Sequence, residues 1–264
     1  MEKIINNIPT WINCLLFVAF CAGCYCLVLL LLRSQLKKET LKQNHDVTGV
    51  VFGLIGILYS LVLAFVVIAV WEDYEQIDND VDKEASKLHV IMSHASELPD
   101  SMGNKINAAI KNYLEIVVNK EWSAMEANEV NELTSNALQY VRNVTFTAEG
   151  LSQKNQVIVR LIHDDITDVT DLRQERLTRN HSHVPGLVWM VLIVGSIITI
   201  TFSYFFYVEP FWLRIVTGVF LTGMIALCLF LVFMLDHPFI GSSKVSSAPF
   251  QALLKEINDS GLQQ

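Results

Sequence analysis

Charge is what this sequence has least of, and it is missing in blocks. Residues 4–32, 47–71, 187–208 and 215–235 hold no Lys, Arg, Asp or Glu, and each block is at least 21 residues long. About 20 apolar residues carry a helix across the core of a bilayer. Charged residues make up 17% of the chain, against about 25% in soluble domains. A soluble one-domain enzyme is excluded. There is no excess of positive charge either: 19 Lys and Arg stand against 27 Asp and Glu, a formal net charge of −8. Such a balance does not suit a nucleic-acid surface. The chain also lacks a Walker motif, a nucleotide-binding glycine fingerprint, an HExxH pair and a nucleophile elbow, and with them the commonest enzyme designs. No charge lies near the middle of an apolar block, where ion-coupled transporters keep one.

Cysteine is sparse. Cys14, Cys21, Cys24, Cys26 and Cys228 all lie in apolar runs, with no His or carboxylate beside them. They read as helix-packing residues, and neither a metal nor a cofactor is expected. The first apolar run follows Lys3, is longer than the core of a signal peptide and lacks a small-x-small cleavage site. It reads as a retained membrane helix.

What is present is four spans and one acidic insert. The spans are Thr10–Leu32, Val47–Trp71, Leu187–Val208 and Phe211–Leu235. Trp71 and Tyr74 suit an interface, and Pro9 suits a first helical turn. Residues 72–186 carry 20 acidic and 11 basic side chains and are long enough to hold a packed core. The expected organisation is 1–71 for spans one and two with a short basic loop at 33–46, 72–186 for an acidic helical soluble domain, 187–240 for spans three and four, and 241–264 for a C-terminal tail. No Pro or Gly interrupts residues 72–98, so the second span is expected to run on into water as one helix of roughly 50 residues.

Within the insert, apolar residues recur at three- and four-residue spacings, the mark of amphipathic helices. One stripe is Ile77, Val81, Ala85, Leu88, Ile91, Met92 and Ala95. After a turn at 99–103, a second helix carries Ile106, Ala109, Ile110, Tyr113, Leu114, Val117 and Val118. A third is expected from near Ser123, with Val130, Leu133, Ala137, Leu138 and Val141. Gly150 reads as a break. A fourth covers 151–177, with Val157, Ile158, Leu161, Ile162, Ile166, Val169 and Leu172 inward.

Four spans place both termini and the insert on one side of the membrane. The charge bias points two ways: per residue, the four basic groups of the 33–46 loop favour that loop in the cytoplasm, whereas the raw count of Lys and Arg favours the other side.

The run Gly49–Glu84, GVVFGLIGILYSLVLAFVVIAVWEDYEQIDNDVDKE, resembles the opening signature of a bacterial bestrophin-like membrane family of unknown function. RQERL at 173–177, VPGLVWMVLI at 184–193 and LDHPFIGSSKVSSAPF at 235–250 resemble its later motifs, in the same order. The family is distantly similar to the bestrophins, which are pentameric anion channels with four membrane helices per subunit and a helical cytosolic domain. The resemblance implies an all-α integral membrane protein of the bacterial inner membrane, with the large domain and termini cytosolic. It also implies self-association, with a pentamer as the best guess, among membrane lipid, and inorganic ions as the partners it conducts. The second span would line the axis, with Ile57, Ser60, Leu61, Ala64 and Ile68 as pore-lining candidates. Bestrophins bind calcium through acidic residues just after the last span. Here only Asp236 stands in that place, without the run of acids that forms the clasp.

Several residues admit more than one reading. Gly49, Gly53 and Gly56 permit close helix packing, either within the subunit or around a pore axis. Glu72, Asp73 and Glu75 follow the second span and form a pore-mouth candidate that favours cations, or else a solvated helix face. Asp78, Asp80, Asp82 and Glu84 lack the Gly and Glu positions of a calcium loop. His163 and its neighbouring acids, with His181 and His183, lack a third fixed ligand for zinc. Asp164, Asp168, Asp171, Arg173 and Arg176 suit pairs along one helix; a structural salt bridge from Arg173 and Arg176 to a carboxylate of the first long helix is also expected, and Glu84 is grouped with them as a structural-motif residue. Asp236 and His237 end a helix that Pro238 stops, and Phe239 and Gly241 form the turn that follows. The expected function is passive ion conduction, anion-conducting by resemblance. The alternatives are a cation-selective channel of the same build, or a non-conducting scaffold or sensor whose helical domain binds a soluble partner.

Overall fold

The computed structural model describes residues 9–32, 45–146, 152–181, 184–206, 208–241 and 244–261. The basic loop at 33–44, Gly150 and His183 lie outside them. The elements in chain order are α1 (Thr10–Leu32), α2 (His45–Ser96), α3 (Asp100–Ile116), a π-helical turn (Val117–Glu121), α4 (Trp122–Glu126), α5 (Glu132–Phe146), α6 (Gln153–His181), α7 (Gly186–Ser203), α8 (Phe211–Leu235) and α9 (Ala248–Gly261). No strand occurs among the described residues. Helix α2 continues without a break past Trp71, as its lack of Pro and Gly predicts.

Four helices start immediately after a proline. The carbonyls of Pro9, Pro99, Pro185 and Pro210 accept the first backbone bonds of α1, α3, α7 and α8, from Ile12, Met102, Val188 and Leu213 at 2.8–3.0 Å. A proline pushes the residue before it out of the helical region, so a helix begins there and cannot extend backwards.

The chain divides into two compact units, one of residues 1–72 and 183–243, the other of 73–182 and 244–264. The first holds α1, the apolar part of α2, α7 and α8, all helices long and apolar enough to cross a membrane. It has two centres. Tyr59, Leu63, Val70, Leu192, Ile225 and Val232 form one, and Tyr25, Leu29 and Tyr204 the other. Each is built on a tyrosine laid over a glycine. A Cβ on Gly195 would lie 2.5 Å from the Tyr59 ring, and one on Gly218 would strike Tyr25. The Tyr59 hydroxyl donates to the Leu192 carbonyl at 3.2 Å, and Tyr25 stacks on Tyr204 at 4.8 Å.

The second unit is a helical bundle with a closed apolar core. Ile77, Val81, Ala85, Leu88, Ile91 and Ala95 of α2, with Ile106, Ile110, Tyr113, Leu114 and Val117, are buried there. The third and fourth stripes need correction. Val130 and Leu133 are exposed, because the second helix runs through the π turn to Glu126 before breaking. Asn128, at φ +57°, turns the chain, and α5 starts only at Glu132. In α6 the buried line is Ile158, Ile162, Ile166 and Val169, and it leaves Val157 and Leu161 outside. The described part of the expected C-terminal tail carries α9, whose Phe250 is buried against Trp122.

Candidate functional site

A helix advances about 100° per residue. In α2, Tyr59, Leu63 and Val70 face the unit's own core, so the opposite line is Ile57, Leu61, Ala64 and Ile68. Ile57, Leu61 and Ile68 are 65%, 52% and 53% exposed, and Ala64 and Ser60 are exposed with them. The Ser60 hydroxyl is turned back onto the Ile57 carbonyl at 2.9 Å. Ile57, Leu61, Ala64 and Ile68 therefore share one apolar face, with Ser60 at its edge, that no described residue of the chain covers. In the most apolar stretch of α2 only 11% of residues are buried within the chain.

The glycines of that helix divide. A Cβ added to Gly53 or Gly56 would meet nothing, and one added to Gly49 would only touch Phe206 at 3.7 Å. Packing within the subunit is thus not their use at 53 and 56. In the membrane unit the close approaches go to Gly195 and Gly218, which the sequence reading passed over.

Of the three acids after the span, Glu72 and Glu75 are exposed. Asp73 is exposed too, but it accepts from Arg179 at 3.4 Å. Asp78 and Asp82 face outward while Asp80 and Glu84 are buried, as a continuous helix requires and a calcium loop would not.

Arg173 and Arg176 do not pair along their own helix. They reach into a buried cluster of four charges. Arg176 Nε donates to Glu84 Oε2 at 3.0 Å, and Nη2 donates to Glu84 Oε1 at 3.3 Å and to Glu121 Oε2 at 3.1 Å. Arg173 binds Glu121 Oε1 through Nε and Nη2 at 2.9 and 2.5 Å, and reaches Ser135 Oγ at 3.2 Å. The Tyr113 hydroxyl donates to Glu84 Oε1 at 2.7 Å. Two cations and two anions cancel, and every carboxylate oxygen is engaged, which is the condition for burying charge.

Sequence reasoning named Glu84, Arg173 and Arg176 but missed Glu121. Its nearest sign is the apolar stripe that ends at Val118. The π turn widens the helix there, so that Val117, Glu121, Trp122 and Met125 are all buried. The Arg176 guanidinium lies 4.8 Å from the Trp122 ring and 5.9 Å from Phe250. The Trp122 indole donates to the Val245 carbonyl at 3.1 Å, tying the last segment to the cluster. Burial alone would lower the Arg176 pKa, but Glu84 and Glu121 more than reverse it. Burial, then the Glu84 charge, push the Tyr113 phenol well up, so it remains a donor.

Asp165 and Asp168 of α6 likewise look outward from their helix. They hold Lys87 of α2 at 3.0 and 2.8 Å.

In the membrane unit, Asp236 accepts from the Val184 N–H at 2.6 Å and the Trp189 indole at 3.3 Å. It binds the end of α8 to the start of α7, a local task that needs no cation. His237 Nδ1 lies 3.0 Å from the Phe233 carbonyl. Pro238 follows where the helix stops, Phe239 is buried, and Gly241 takes φ +85°, which an L side chain adopts only under strain.

The family model for the bestrophin-like domain matches residues 15–250. The chain belongs to the bestrophin-like family. In fold, this bestrophin-like chain is similar to a bacterial bestrophin homologue from Klebsiella pneumoniae. One crystal structure of that protein superposes with a TM-score of 0.72 at 12% identity, covering 92% of this chain and 98% of that one. Another, solved by zinc phasing, gives 0.71 at 13%, covering 92% and 97%. A further crystal structure, of a membrane protein, gives 0.70 at 12%, covering 94% and 98%. No curated protein matches the chain in sequence.

Proposed function

We propose that this protein is the subunit of a passive ion channel, assembled as a ring in the bacterial inner membrane with α2 of each copy on the axis. The observation that carries the reading is the exposed line of Ile57, Leu61, Ala64 and Ile68 on the side of α2 opposite its packed face. Gly53 and Gly56 beside it leave room for a neighbouring backbone. An apolar constriction of this kind gates by dewetting. Membership of a bestrophin-like family supports the same reading. A pentamer with residues 72–186 and both termini in the cytosol follows from the resemblance to bestrophins.

Anion conduction is the first choice on the same ground. Cation selectivity is favoured by one observation: Glu72 and Glu75 are exposed after the span. About five helical turns separate Ile57 from Glu75, which returns Glu75 to the same line of α2. A non-conducting scaffold or sensor is the remaining alternative.

The test is ion flux from the purified protein in liposomes under separate chloride, sodium and potassium gradients. Chloride flux is expected. Sodium or potassium flux would transfer selectivity to the acidic mouth. No flux at any pH, calcium level or voltage would overturn conduction and leave the scaffold.

A further inference from the structure

Among the described residues of the membrane unit, Arg214 is the only Lys or Arg. It sits in the first turn of α8, about 5 Å from the helix start, beside a cavity of about 280 Å³. Its Nη2 donates to the Tyr204 carbonyl. Its Nε is shut away from solvent and has no acceptor. A buried guanidinium N–H left unpaired is costly, and it points to an acceptor supplied from outside the chain.

The rest of the cavity tells what kind. At the Arg214 end stand the hydroxyls of Tyr25 and Ser203, 3.5 Å apart. Phe52 and Phe206, packed edge to face at 5.3 Å, also line it, with Val208, Thr217 and Leu221. Gly218 is part of the lining, and any side chain there would strike Tyr25. The cavity therefore offers one planar cation, a few hydroxyls and an otherwise hydrocarbon and aromatic wall. Arg214 stands in the first turn of a candidate span, the part of a spanning helix that meets headgroups.

We infer that this cavity holds an anionic phospholipid, its phosphate on Arg214 and its acyl chain against Phe52 and Phe206. A guanidinium fork matches a phosphate in geometry as well as charge, and basic pockets between spans select anionic headgroups over zwitterionic ones.

The test uses the full-length protein in neutral detergent. Phosphatidylglycerol and phosphatidylcholine with the same chains are titrated in, and bound lipid is read by native mass spectrometry. The wild type should retain phosphatidylglycerol over phosphatidylcholine by roughly ten-fold, because both carry the phosphodiester but choline adds a cation that Arg214 repels. Arg214→Gln should abolish that preference, and Arg214→Lys should keep part of it. Equal retention of the two lipids by the wild type overturns the inference, as does an unchanged preference in Arg214→Gln. Should Arg214→Gln fail to fold, the wild-type ratio decides alone. Inorganic phosphate at millimolar concentration should not strip the lipid. If it does, the site belongs to a soluble anion and the lipid assignment falls.

Discussion

The helical bundle buries a cluster of four charges beside its apolar core, and the membrane unit packs tyrosines onto glycines. Arg176 and Arg173 lie between Glu84 and Glu121 in the first, whereas Tyr25 and Tyr59 press onto Gly218 and Gly195 in the second. The difference follows from the solvent. In water, burying the α2 and α3 stripes drives the helices together, and that drive can carry a neutral, fully bonded charge cluster inside. In lipid the tails are as apolar as leucine, so helices gain by close contact, and glycine under a ring supplies it. Apolar surface accordingly goes inward in one unit and outward in the other, where Ile57, Leu61 and Ile68 are exposed.

The comparison breaks most readily at Arg176. Arg176→Ala strands Glu84 in the core and should cost about 3–5 kcal/mol, read as loss of helicity in thermal unfolding of the detergent-solubilised protein. Replacing Glu84 by Leu together with Arg176 by Met should cost less than either change alone. If the single change proves harmless, the cluster is not what closes the soluble core.

On the membrane side, Gly218→Ala should lower stability by about 1–3 kcal/mol, since its Cβ collides with Tyr25. Gly53→Ala should change the isolated subunit by less than about 0.5 kcal/mol and act on ring assembly instead, measured by cross-linking. Equal effects of the two substitutions on the subunit would refute the division of the glycines.

At the mouth, Glu75→Gln should shift the anion-to-cation permeability ratio by roughly two- to ten-fold at low salt. Asp73→Asn should shift it less, because Arg179 already faces that carboxylate. Reversal potentials under a salt gradient report both.

The smallest effect belongs to Lys87. Its hydrogen bonds to Asp168 and Asp165 push its pKa up to about 12. A raised pKa means the pair contributes fully below the ordinary lysine value of 10.5 and is lost as pH rises through about 12. Lys87→Met should therefore cost no more than about 1 kcal/mol, given its exposure to solvent. That cost should be the same at pH 7 and pH 9 in thermal unfolding.

Much of the fold is legible in the residues. The spans come from charge-free blocks, the continuity of α2 from its lack of Pro and Gly, and four helix starts from prolines. The stripe from Ile77 to Ala95 names the buried face of α2 in water. The errors share a cause. Val130 was assigned to a helix that had not yet begun, and Val157 to the wrong side of α6, because local spacing tolerates a shift of one position and a π turn leaves no clear trace in sequence. Nothing in the local spacing marks Glu121, which the widened turn carries inward.

By itself, then, the sequence determined that the chain is helical, where it enters the bilayer and which family it joins, since hydropathy, proline stereochemistry and short motifs all act within a few residues. Only the tertiary structure decided that Glu121 closes the arginine cluster, that Asp236 ties Val184 and Trp189 to the end of α8, that Gly195 and Gly218 carry the close contacts, and that Arg214 faces a cavity. Helical periodicity tells which face of a helix is apolar, but the neighbour that face meets is set by packing between residues far apart in the chain.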